Sequence, residues 1–353
     1  MRKKIVLLML LCAMSMLPLS AAGPNPAMKK EYDFKNFNAI KTTPKSRSIS
    51  GRGTFVFSSY HITLVKSDQY KVEMKVWDRD AIDMFEIRQN GEVLELVTDY
   101  KKYPYHSSKK DDPYADVIIY TPKLVSVSLT GANSLSVSGG EFSGNTLMLD
   151  LNSASKMSGL SGTWNNINIK MTGASKVIDL DLTGKTCKMD CDGAADVKGR
   201  SSLKVDKLSL LMTGATSATF DNIKAKILSV NLNGAARLTS ADVCSCELQF
   251  NMTGGSSSEI SGKNDAVSAE LSGAAKLNLS GDGRTLTVTA AGGSSLRAKY
   301  FNVKEGSFNL SGAASVETNV SEKLNAETLG GSVLDYYGHP TVVITKTDRV
   351  RAH

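Results

Sequence analysis

LTGANSL (129–135), LNSASKM (151–157), MTGASKV (171–177), CDGAADV (191–197) and MTGATSA (212–218) are copies of one short motif. Six more follow: LNGAARL (232–238), MTGGSSS (252–258), LSGAAKL (271–277), AAGGSSL (290–296), LSGAASV (310–316) and the degenerate TLGGSVL (328–334). The central glycines are 131, 173, 193, 214, 234, 254, 273, 292, 312 and 330, with Ser153 substituting once, and successive spacings run from 18 to 22 residues. A fixed period near twenty marks a solenoid. Two, four and six residues before each Gly the chain is usually apolar, as in Val125/Val127/Leu129, Ile167/Ile169/Met171 and Leu208/Leu210/Met212. Alternation of that kind describes a β-strand with one buried face. A second strand opens with an apolar residue four positions past the Gly, as at Leu135, Met157, Val177 and Leu238. Nothing in the coil has helical period, so a leucine-rich repeat does not fit.

The corner has its own logic. Gly permits positive φ, and Ala or Gly follows it in every copy, which lets backbones stack about 4.8 Å apart. Thr, Asn, Asp or Ser precedes it in nine copies, such as Thr130, Asn152 and Asp192. These side chains are expected to bond the turn backbone or one another along the stack. The predicted fold is all-β: a right-handed, single-stranded parallel β-helix of about 20 residues per coil, with an irregular β cap at its amino end. The handedness follows the rule for parallel crossovers. Eleven coils give a rod roughly 50 Å long.

Outside the ladder, Arg2, Lys3 and Lys4, the apolar run Ile5 to Leu17 and Ser20-Ala21-Ala22 have the form of a secretory signal peptide cleaved near Ala22. Cys12 lacks the small residue before it that a lipoprotein site needs, since Leu11 stands there. Residues 1–22 are thus read as signal, 23–50 as an extended leader, 51–120 as β cap and first coils, and 121–347 as ladder with a carboxyl-terminal cap. In the last of these, Tyr336, Tyr337 and a final strand are expected to close the core. Asn90-Gly91 between alternating strands signals a hairpin. The formal charge of +7 falls by the three signal cations to +4, too little and too dispersed to argue for nucleic acid. No later segment has the length and apolarity of a membrane helix. The expected location is the periplasm, the cell surface or the extracellular space.

Cys187, Cys191, Cys244 and Cys246 remain after the signal. In a strand, Cys187 and Cys191 would stand roughly 13 Å apart at ~3.3 Å per residue, beyond disulfide reach. Cys244 and Cys246 are too close in sequence for an ordinary bridge, and no zinc spacing is present. Four buried free thiols are expected.

HITLVKSDQYKVEMKV (61–76), DVIIYTPKLVSVSLTGANSLSVSG (116–139), the Gly-Ala corners and the closing YYGHP (336–340) together resemble the "putative auto-transporter adhesin, head GIN domain" family of secreted Bacteroidetes proteins. The resemblance runs over about residues 33–345. It implies a β-helical fold, an exported location and an adhesive or surface role, and it brings no catalytic residues.

The strongest functional candidate is the insertion YKKYPYHSSKKDDPY (100–114), which supplies Tyr100, Tyr103, Tyr105, His106 and Tyr114 as ligand-binding candidates. Long loops on rigid scaffolds often carry function, and exposed tyrosines offer flat faces to a glycan or protein. The plainer alternative is a surface loop whose tyrosines pack on the cap. An enzyme must also be weighed, because glycoside hydrolysis needs two carboxylates. Asp179/Asp181 and Asp190/Asp192 stand at i, i+2, where each pair could do acid/base work or bind Ca²⁺. Asp192, however, sits in the corner column where Thr, Asn and Ser alternate with it, and Lys156, Lys176, Arg237 and Lys276 recur as Ser or Asp, as solvated positions would. The four histidines have no acidic cluster beside them. No metal or cofactor is expected. The sequence thus points to a non-enzymatic adhesin-like or structural module with glycan or extracellular protein partners. The alternative is a polysaccharide lyase or hydrolase.

Overall fold

The computed structural model describes residues 28–45, 47–48, 54–55, 60–102, 113–347 and 349–353; the predicted signal peptide lies outside them. The chain is nearly all strand and winds into a parallel β-solenoid of about eleven turns. Each ladder coil places its pre-corner strand in register with the next: Leu149↔Ile169↔Met189↔Leu210↔Val230↔Phe250↔Ala269↔Val288↔Phe308↔Ala326. The short post-corner strands form a second stack, Leu135↔Met157↔Val177↔Val197↔Ala218↔Leu238↔Ser258↔Leu277↔Leu296↔Val316↔Leu334. Nearly all of these residues are apolar, and every member of both stacks is buried, so one continuous core runs along the axis. Val125, expected to point inward, is instead 38% exposed. Its N–H donates to Asn38 O at 2.8 Å while the chain crosses from the cap into the ladder.

All eleven corners adopt positive φ, from +65° at Ser153 to +99° at Gly131. From Ala194 to Ala313, the N–H of the residue after each Gly donates to the carbonyl of the Gly one coil earlier, at 2.7–2.9 Å. Five of the nine polar residues before the Gly, Asn152, Thr172, Asp192, Asn233 and Thr253, make the expected bonds. Thr253 Oγ1 donates to Asn233 Oδ1 at 2.5 Å, Thr172 donates to Asn152, and Asp192 accepts from Gly193 N at 2.7 Å. A further column was not read from the sequence. Two residues past each Gly stand Asn133, Ser155, Ser175, Ala195, Thr216, Ala236, Ser256, Ala275, Ser294, Ala314 and Ser332, all buried. The hydroxyls of Ser155, Ser175, Thr216, Ser256 and Ser294 have no hydrogen-bond partner among the described residues. At those positions small volume, rather than polarity, fits the residue to the core, whereas Asn133 at the first corner bonds Tyr60 N, Thr42 and Thr130 O, and Ser332 at the last donates to Leu310 O.

The amino-terminal strands are β1 (Met28–Tyr32), β2 (Ala39–Lys45), β3 (Arg47–Ser48), β4 (Thr54–Phe55), β5 (Tyr60–Lys66), β6 (Lys71–Val76), β7 (Phe85–Asn90), β8 (Val93–Asp99) and β9 (Ala115–Thr121). The ladder begins with β10 (Ser126–Thr130) and β11 (Ser134–Ser138). The stretch read as leader therefore supplies strands, because Phe37 and Ile40 are apolar enough to enter the core. Chain order and stacking order also differ. β2 pairs in parallel with both β8 and β10, and β5 with both β9 and β11. The coil made of β2 and β5 is thus held between the ladder and the coil made of β8 and β9. Antiparallel strands finish this end, β7 on β8 through the Asn90-Gly91 turn, β6 on β9 and β1 on β6. A 3-10 helix, Arg79–Met84, buries Ala81 and Met84 completely and is capped by the Asp78 carboxylate on Asp80 N at 3.0 Å.

The other end differs from expectation. Tyr336 packs on the core, but Tyr337 lies outside it, stacked on His353 with ring centroids 5.0 Å apart. Thr341–Lys346 forms the penultimate strand with Val343 and Ile344 exposed. Cys187 and Cys191 are buried free thiols, whereas Cys244 and Cys246 are free but exposed. Val243 and Ser245 take the inward positions of that segment, and strand alternation turns both cysteines outward.

Two outcomes follow. Gly254→Ala places a Cβ 3.0 Å from Gly234 O at φ +71°, whereas at Gly255 the same atom would stand 3.8 Å away. The first should cost about 1–2 kcal/mol, and the second should be neutral or gain up to about 1 kcal/mol, read as shifts in the urea midpoint. Burial pushes the Cys187 and Cys191 thiols up to about 12. In the native protein an aromatic disulfide reagent should therefore label Cys244 and Cys246, and reach the other two only after unfolding.

Candidate functional site

Outward residues of three neighbouring strands meet at the amino-terminal end. β6 and β9 are antiparallel with Lys75 opposite Asp116, and β5 runs parallel to β9 with His61 beside Asp116. A row Lys75, Asp116, His61 therefore crosses the sheet and continues through Ser134 and Lys156 of the ladder. Trp77 follows Val76 out of β6, and Tyr114 precedes Ala115 into β9. Because Val76 and Ala115 are register partners, Trp77 and Tyr114 leave the two strands at neighbouring points.

Asp116 organises the cluster. Trp77 Nε1 donates to Asp116 Oδ2 at 2.6 Å, and His61 Nδ1 lies 3.4 Å from Oδ1. The His61 and Tyr114 rings stand 4.9 Å apart at 31°, and Lys75 Nζ sits 3.5 Å over the Trp77 ring. Burial pushes the Asp116 carboxyl up. The hydrogen bonds from His61 and Trp77, with the charges of His61 and Lys75, outweigh burial and hold it below the ordinary carboxylate value. With 39% of the Asp116 side chain and 52% of that of His61 open to solvent, the patch can be reached by a large partner. It combines flat aromatic faces, a fixed anion and a cation, which is chemistry for recognition.

The patch lies where the insertion rejoins the sheet. The chain passes from β8 to β9 through residues 100–114, while a ladder coil makes the same passage in the three residues Gly131–Asn133. Of the five candidates in the insertion, Tyr100 packs on the core edge in a 3-10 turn and Tyr114 joins the patch. Tyr103, Tyr105 and His106 lie outside the described residues. His61, Lys75, Trp77 and Asp116 were not singled out from the sequence. The signal that could have found them is an outward Trp directly after the alternating strand KVEMKV.

One carboxylate of each pair weighed for catalysis engages the backbone. Asp179 holds φ +56° and accepts from Arg200 N at 2.8 Å, and Asp192 caps Gly193. Lys156, Lys176, Arg237 and Lys276 share one outward column with Asp196, Ser217 and Ser257. Among the described residues no group of three or more His, Cys, Asp or Glu is placed to hold a metal ion. No helix there is long and apolar enough to cross a membrane.

A family model described as "Putative auto-transporter adhesin, head GIN domain" matches residues 54–222 and 222–340. Among solved structures, a "putative lipid binding protein" from Parabacteroides distasonis is 13% identical, with 94% of this chain and 95% of that chain covered at a TM-score of 0.28. A "putative adhesin" from Bacteroides fragilis is 12% identical, with 94% and 95% covered at 0.28. Another from Parabacteroides merdae is 14% identical, with 94% and 96% covered at 0.25. The strand registers, not these low-scoring likenesses, define the fold. No curated protein matches the chain.

Because the folded Asp116 value is depressed, its charge favours the folded state above the unfolded value of ~3.9, and that contribution is lost as pH falls through the folded midpoint. Carboxyl-detected NMR should place the Asp116 midpoint below ~3.9, and Trp77→Phe, which removes one donor, should raise it.

Proposed function

The chain belongs to the head GIN domain family of putative auto-transporter adhesins, and from that premise we propose that it is an exported, non-catalytic binding module for glycans or extracellular proteins. The observation that carries this is the patch of Trp77, Tyr114, His61, Lys75 and Asp116 at the root of the insertion 100–114. From their place in the sequence of that insertion, Tyr103, Tyr105 and His106 are proposed as further ligand contacts. The rigid coils fix the spacing of the rings before a ligand arrives, which lowers the ordering cost of binding. The aromatic side chains offer large contact area with few rotatable bonds.

A carbohydrate-active enzyme needs an acid and a base facing a substrate cleft. The engagement of Asp179 and Asp192 with backbone N–H groups supports the binding reading instead.

The test is a glycan and matrix-protein array probed with the full chain. Retention without turnover is expected. Trp77→Ala and the double change Tyr103→Ala/Tyr105→Ala should each weaken the retained ligand by about 5–30-fold, the usual loss at an aromatic anchor. Release of reducing or unsaturated ends from a polysaccharide panel, abolished by Asp190→Asn or Asp192→Asn, would establish the enzyme in its place. Unchanged binding by all the aromatic variants would move the contact surface elsewhere.

A further inference from the structure

A second constellation lies at the opposite end, where the ladder is interrupted. The strand Ser295–Leu310 pairs Ala298 with Thr318 and then Asn302 with Asn319. Residues 299–301 have no partners in the following coil. A bulge of this kind re-aims side chains. Phe301 turns into the core at 1% exposure, while Tyr300 stands out at 74%, the most exposed large apolar side chain described. In the preceding coils its column holds only Ser280 and Ser261. The coil stack gains nothing from an exposed tyrosine there.

Beside it runs the outward column Asp282, Asn302, Asn319 and Tyr337, one residue per coil. Asn319 Nδ2 donates to Asn302 Oδ1, and Asn302 Nδ2 to Asp282 Oδ1, both at 2.9 Å. This chain fixes the two amides and leaves Asn319 Oδ1 without a donor among the described residues. Tyr337 is held by His353, whose ring stacks on it at 22° and whose Nε2 lies 3.1 Å from Asp335 Oδ1. Lys299 Nζ stands 4.3 Å from the centre of the Tyr337 ring and 5.9 Å from that of Tyr300, with no carboxylate partner among the described residues. Lys299, Tyr300, Asn302, Asn319 and Tyr337 line a groove of about 280 Å³. That is close to the ~300 Å³ lower end for small-molecule clefts.

We propose that this groove binds one acidic pyranose residue, a hexuronate within a glycan. A pyranose ring has an apolar C–H face and a rim of hydroxyls that donate and accept. The Tyr300 ring offers the flat apolar surface. The Asn302 and Asn319 amides offer both donor and acceptor to the rim. Lys299 supplies the cation for the carboxylate. The site is independent of the patch around Asp116, and neither requires the other to be correct.

The experiment is calorimetric titration of the full chain with trigalacturonate and with galactotriose, each followed by NMR of the Tyr300 ring. Saturable binding of trigalacturonate is expected, weakened about 5–30-fold in Tyr300→Ala and retained in Tyr300→Phe. Lys299→Gln should remove the preference over galactotriose, and Lys176→Gln, at an outward ladder position remote from the groove, should change nothing. Both groove residues are on the surface, and thermal unfolding checks that each variant is folded. No binding of trigalacturonate, or binding unaltered by Tyr300→Ala and Lys299→Gln, overturns the proposal. Equal binding of the two sugars overturns the assignment of an acidic ligand.

Discussion

Every coil depends on one backbone arrangement: a residue held at positive φ whose carbonyl accepts the N–H of the residue that follows the next corner, 2.7–2.9 Å away through most of the ladder. Positive φ turns the chain between two strands, and the hydrogen bond locks successive corners at the strand-to-strand spacing of about 4.8 Å. A side chain at the central position would press on the corner below, where the Cβ of an alanine at Gly273 would meet Gly254 O at 3.0 Å. With the corners fixed, the registers of both flanking strands are fixed as well. The alternating apolar residues then fall into unbroken buried columns. Stability is collective, because a coil shares its hydrogen bonds and most of its buried surface with its neighbours.

The same constraint explains what the corner tolerates. Thr, Asn, Asp and Ser exchange before the glycine because each can bond a neighbour or the turn, as Thr253 does with Asn233 and Asp192 with Gly193. Ser and Ala exchange two residues beyond it because both are small enough for the buried site and most of the hydroxyls there make no bond. The two ends are not equivalent. The amino end is finished by antiparallel strands and a short helix that buries Ala81 and Met84. The carboxyl end presents Val343 and Ile344 to solvent.

A regular ladder spends nearly all its recurring residues on stacking, which moves recognition chemistry to its interruptions. The amino-terminal interruption is a long insertion where a ladder coil has three residues, and a cluster of rings and charges gathers at its root around Asp116. The carboxyl-terminal one is a bulge that throws Tyr300 out beside a fixed column of amides. In both places aromatic side chains point outward, against the pattern of the ladder, where outward positions hold mostly small, polar or charged residues.

The ladder was legible in the sequence because its signals are local. A glycine every twenty residues, a small residue after it and apolar residues at alternate positions specify strand, turn and strand without reference to distant contacts. Local reading failed where side-chain direction depends on the parity of a whole segment, as for Cys244 and Cys246, and where a buried column of mostly small residues mixes Ser, Thr and Ala. It failed also at the cap and at the bulge. His61, Trp77 and Asp116 are separated by as many as 55 positions and come together only because β5 and β9 are adjacent in parallel while β6 folds back antiparallel on β9. That order places the second coil of the chain outside the first, and periodicity is blind to the order in which coils stack. Tyr300, Asn319 and Tyr337 likewise share a groove because three residues of one coil have no counterpart in the next. The repeat therefore determined the scaffold, while long-range strand pairing alone decided which of its exposed residues are neighbours.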